Sequence, residues 1–176
     1  MCSVSFEHAE SVKILIASGN CTSSLGLIRL QYESFVRAMW LLFSASDIDV
    51  AKIMDDLTQD SSKRAEKLPM LSEMLKQLQG KAPKVALDQL QEFKEYSWKP
   101  LSSFIHGGIH ALNRHSIGYP IPFLVQLLKV SNGLLVMTGM LLVILSTQRG
   151  QTNIIPELQF KYHDCLPDFK TIVHNE

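Results

Sequence analysis

Apolar positions recur at helical spacing along most of the chain, and no stretch sustains the strict alternation of a strand. Val12, Leu15 and Ile16 mark a first helix over Glu7–Ser18, closed by Gly19 and Asn20. Thr22, Ser23 and Ser24 then offer N-caps to an uninterrupted run from Leu25 to Phe43. Large side chains surround that second helix on nearly every side, which predicts a central, buried position. Asp47–Leu57 reads as a short helix capped by Ser46 or Asp47, and the charged segment after it as a surface loop. Further helices follow Pro69 and Pro83. Another is expected with Pro100 near its start and Pro120 and Pro122 at its end. The next segment, from Phe123 to Gln148, is very apolar. Its uninterrupted core from Gly133 to Ser146 falls short of the roughly 20 residues of a membrane span, so it reads as a buried bundle helix. The fold class is therefore all-α: a bundle of four to five main helices in one domain over residues 1–150, with residues 151–176 as a tail packed on it.

Two polar stripes interrupt this greasy pattern. Arg29, Glu33 and Arg37 stack at i, i+4 and i+8 on the second helix, while Gln31, Ser34 and Ala38 mark a mild polar side. The apolar neighbours of the charged stripe favour an internal charge network over an exposed ladder, because buried charges demand partners. His106, His110 and Arg114 repeat the same spacing if the stretch from Tyr96 to Tyr119 is one helix. On that helix Leu101, Ile105, Ile109 and Leu112 would face the core.

Composition narrows the chemistry. Lys plus Arg and Asp plus Glu both number 17 in 176 residues, so the net charge is zero and there is no broad basic surface for nucleic acid. Neutrality favours self-association, and a homodimer is expected. Cys2, Cys21 and Cys165 are odd in number and scattered, which suits a reducing compartment, and no secretory leader is apparent, so the cytoplasm is expected. His106 and His110 form HxxxH, but Gly107 stands where a metalloprotease has its glutamate, and a third ligand would have to come from Glu33, His163 or Cys165. No metal and no cofactor is expected. Histidine with arginine could instead cleave RNA without a metal, the ring moving a proton and the guanidinium holding the phosphate charge. Equally, the same side chains could serve only as a structural polar core.

The segments from His8 to Leu42 and from Ser102 to Arg114 together resemble a bacterial family of helical proteins of unknown function. Its pattern pairs an LLRxxxExxxR helix with an HxG helix, matched here by Arg29, Glu33, Arg37, Trp40, His106, Gly108 and Arg114. The order of helices is also similar, more loosely, to the HEPN superfamily, many of whose members are dimeric, metal-independent ribonucleases of toxin–antitoxin and phage-defence systems. That motif is arginine, a polar residue, three spacers and histidine. Arg114 and His115 match its start, and Tyr119 occupies the last position. The resemblance implies a HEPN-like protein acting on RNA, with His106, His110 and Arg114 as catalytic residues. Arg29, Glu33, Arg37, His115 and Tyr119 would form the supporting network. It also implies an antitoxin or defence protein as partner. The other implied reading is a non-catalytic interaction or dimerisation module, since many HEPN-like domains lack the full motif. The short apolar run leads to an expectation of no membrane, with a membrane-associated protein through Phe123 to Leu145 as a distant third reading.

Overall fold

A computed structural model describes residues 1–56, 58–146 and 153–167, and among these every regular element is helical. Nine α-helices occur there: α1 (Cys2–Ala17), α2 (Cys21–Phe43), α3 (Asp47–Met54), α4 (Gln59–Ala65), α5 (Leu71–Gln77), α6 (Lys84–Ile105), α7 (Ile109–Ile117), α8 (Ile121–Ser146) and α9 (Ile154–Lys161). The sequence reading counts four to five main ones. The proposed boundary between residues 150 and 151, Leu57 at the end of the short helix, and Phe169 in the tail lie outside the described residues.

α2 is the central element. Leu25, Ile28, Tyr32, Phe35, Val36, Met39 and Trp40 are all essentially inaccessible, and α1, α5, α6, α7 and α8 all pack on it. α1 reaches it through a tight reversal. Asn20 N–H donates to the carbonyl of Leu15 and Gly19 N–H to that of Ile16, with Gly19 in the left-handed region at φ 80°. Two apolar clusters result. One joins the Tyr32–Trp40 half of α2 to Met74, Leu75, Leu78, Leu87, Leu90, Leu134 and Leu141. The other joins Val12, Leu25, Ile28, Leu101 and Leu127.

Polar groups inside are matched. Tyr32 hydroxyl donates to the carbonyl of Leu90 at 2.7 Å, and Trp40 Nε1–H donates to Gln77 Oε1 at 2.7 Å. Gln31 Nε2 donates to the carbonyl of Ser131 at 2.9 Å while Ser131 Oγ donates back to Gln31 Oε1 at 2.7 Å. Ser5 and Thr138 hydroxyls meet at 3.1 Å, joining α1 to α8. Gln31 and Ala38 are thus buried, not on a polar side as the spacing suggests, because α8 supplies Gln31 with a complete partner.

Several elements depart from the sequence reading. α2 starts at Cys21 with Asn20 at its cap, so Thr22, Ser23 and Ser24 lie inside it. α1 starts at Cys2 instead of Glu7. The expected loop after residue 57 contains α4, started by a capping box between Thr58 and Ser61. Pro100 lies inside α6 rather than at a helix start. Its missing N–H would have paired with the Tyr96 carbonyl; Pro100 and Tyr96 are both exposed, so water can take over. Finally, α8 is continuous from Ile121 to Ser146 and buries one stripe, with Leu127, Ser131, Leu134, Thr138 and Leu141 inside. By length and composition it could cross a membrane, with mean hydropathy 1.9, and only 28% of its most apolar window is buried.

Candidate functional site

The stretch from Tyr96 to Tyr119 is two helices, not one. α6 ends at Ile105, His106 caps it, Gly107 takes φ 63°, and α7 begins at Ile109. Both glycines are demanded by geometry. Gly107 occupies the left-handed region. A Cβ on Gly108 would lie 2.5 Å from Ser103 Oγ and 3.3 Å from Ser103 Cα. Ser103 closes the break, since its carbonyl accepts Gly108 N–H at 2.7 Å and its Oγ accepts His110 N–H at 3.1 Å. The presumed i, i+4, i+8 stack of His106, His110 and Arg114 is therefore absent. For the same reason Ile109 and Leu112 point to solvent, 76% and 72% exposed, while Leu101 on α6 remains in the core and Ile105 sits at its edge.

The side chains sort into two clusters, both against α2. In the first, Arg29 Nε donates to Glu33 Oε1 at 2.8 Å, its guanidinium lies 4.1 Å over the Trp98 ring, and one terminal nitrogen is 3.5 Å from His106 Nε2. Arginine can only donate, so this contact needs Nε2 as acceptor and the ring proton on Nδ1. The Arg29 side chain is only 14% exposed and Glu33 32%, a half-internal pair. Arg37 takes no part: it is exposed and forms no ion pair among the described residues. The expected network of three charges is a pair, because Arg37 faces solvent.

In the second cluster, at the start of α2, Thr22 Oγ1 meets Tyr119 hydroxyl at 2.8 Å and His115 Nδ1 at 3.4 Å. Tyr119 stacks on Phe123 with centroids 6.4 Å apart. Arg114 sets its guanidinium 5.1 Å from the Phe123 ring centre, a cation–π contact. His110 is exposed, and its imidazole forms no hydrogen bond among the described residues. So Arg29, Glu33 and His106 come together, as do Arg114, His115 and Tyr119, while His110 and Arg37 stand apart. Among the described residues no three of His, Cys, Asp and Glu gather as metal ligands would.

The parts that Trp98, Ser103, Thr22 and Phe123 play in these clusters escape the sequence reading. Ser103 left a signal, a short hydroxyl before paired glycines; the other three contribute through long-range packing that spacing alone does not encode.

This chain belongs to a family of unknown function, DUF6988, whose pattern matches residues 2–168. No curated protein and no solved structure matches it.

Proposed function

We propose that this member of DUF6988 is a non-catalytic helical association module, in which the arginine, histidine and glutamate side chains of α2, α6 and α7 hold the packing of the bundle. The observation that carries this is Arg29, whose guanidinium is engaged by Glu33, Trp98 and His106 at once. In the second cluster Arg114 lies against the Phe123 ring, and His115 and Tyr119 meet Thr22. A group that must receive a phosphate needs a free donor facing open space, and an interlocked guanidinium serves packing instead.

A second reading keeps the protein in the HEPN-like class, as an RNA-acting component of a bacterial toxin or phage-defence system in the cytoplasm. An antitoxin or defence protein would be its partner. Exposed His110 and His115, on the same helix as Arg114, favour it. In that role Arg114 would steady phosphate and His110 or His106 would move the proton.

One experiment separates the two. Purified protein is incubated with RNA in chelator, beside His110→Ala and Arg114→Ala. The association reading expects no cleavage, and a lower melting temperature for Arg114→Ala. Metal-free cleavage lost in both variants would replace it with the nuclease.

A further inference from the structure

A groove of about 270 Å³ lies between α2, α6, α8 and α9, and it shares no residue with the two polar clusters. It opens to solvent where Val85, Met140 and Ile144 are exposed. Among the described residues its lining is apolar except for Gln89 of α6 and Gln159 of α9, and no ionisable group lines it. Both glutamines are half-buried, and neither carboxamide makes a hydrogen bond among the described residues. The other described glutamines that leave the surface are matched at both ends. Gln31 exchanges two hydrogen bonds with Ser131, while Gln77 accepts from Trp40 Nε1 and donates from its own Nε2 to Glu73. Gln89 and Gln159 are therefore the half-buried amides with donors and acceptors to spare, and both lie in an otherwise apolar wall.

Apolar walls with a few placed polar groups are the make-up of a small-molecule site. An engineered apolar cavity of about 150 Å³ holds one benzene, so this groove takes an apolar body of roughly ten non-hydrogen atoms. The flexible thioethers of Met39, Met137 and Met140 can adjust to its outline. Carboxamides offer donors and an acceptor but no charge, so their complement is an uncharged group that hydrogen-bonds. A charged head would lose water here without gaining a counter-ion. A protein strand is a poorer complement, because each of its residues brings an N–H and a C=O that two carboxamides cannot all meet. We propose that the groove binds a small uncharged amphiphile, an aliphatic chain ending in an amide or alcohol, with Gln89 and Gln159 as the hydrogen-bonding groups. This goes beyond the association reading and does not depend on it.

Isothermal titration calorimetry of the full chain with octanamide tests the site, and sodium octanoate supplies the same chain with a charged head. Octanamide is expected to bind once per chain, and octanoate at least about tenfold more weakly. Val136→Phe, which fills the groove, should weaken octanamide about tenfold or more. The double variant Gln89→Leu, Gln159→Leu should weaken it about fivefold while leaving octanoate unchanged. Circular dichroism checks that both variants fold. Octanoate binding as tightly as octanamide overturns the uncharged class. Octanamide binding that ignores Val136→Phe, or that ignores the double variant, overturns the assigned place or the assigned partners. No saturable binding overturns the ligand altogether, and a wild-type dimer that Val136→Phe dissociates in sedimentation would give the groove to a second copy of the chain.

Discussion

Arg29 and His106, 77 residues apart in the chain, meet at 3.5 Å where the end of α6 crosses α2. The contact exists because α6 stops one residue before it would carry His106 further round its axis, and because Trp98, two turns earlier, gives the guanidinium a flat surface at 4.1 Å. Helix termination, ring packing and charge thus act at a single point.

The Trp98 contact sets the first prediction. A double-mutant cycle on Arg29→Met and Trp98→Leu, read from urea unfolding, should return a coupling of about 1 kcal/mol. Glu33→Gln should cost about 0.5 kcal/mol, since that pair is partly solvated. A coupling indistinguishable from zero would mean that the stacked geometry contributes nothing to stability.

The break between α6 and α7 should tolerate no side chain. Gly108→Ala forces Ser103 Oγ away from the His110 N–H it accepts, and the expected loss is about 1–3 kcal/mol. Gly107→Ala meets only a backbone penalty at φ 63°, about 1 kcal/mol, because nothing lies within 4 Å of the added carbon. Equal or negligible shifts of the denaturation midpoint would contradict this account.

Tyr32 should make stability fall in alkali. Burial pushes its phenol above its ordinary value, so the folded chain keeps the proton longer than the unfolded one. Its hydrogen bond to Leu90 is fully present below a pH of about 10 and is lost as the pH rises through the raised folded value. At neutral pH Tyr32→Phe should cost about 1–2 kcal/mol. The gap in melting temperature between wild type and variant should narrow above pH of about 10. A gap that stays constant would sink this explanation.

How far these relations could be read from residues alone depends on their range. The all-helical class, the central place of α2 and the Arg29–Glu33 pair follow from local periodicity, which spacing encodes directly. Gly107 and Gly108 misled because the polar spacing of His106, His110 and Arg114 runs on across them as if the helix did too. Pro100 misled in the opposite sense, since an exposed carbonyl lets a helix pass through it. The depth of Gln31 was illegible for another reason. An amide enters a core only when its partner is in place, and Ser131 lies 100 residues away. Trp98 and Phe123 likewise found their cations through packing. Local order was readable; the meetings between helices were not.

The hydroxyls buried along α8 have a mechanical consequence. Ser131 is held to α2 through Gln31, and Thr138 is held to α1 through Ser5, on the same stripe. Seven residues along a helix is about 10.5 Å. One such tie would leave α8 free to pivot; two, made to different neighbours, stop it both from turning and from sliding. A shift by one turn would detach both pairs and strand Ser5, Gln31 and Ser131 in an apolar interior, while Thr138 keeps its bond to the Leu134 carbonyl of its own helix. The helix with the greasiest exterior in the molecule is thereby pinned at one height and one angle, and whatever meets that exterior meets a rigid template.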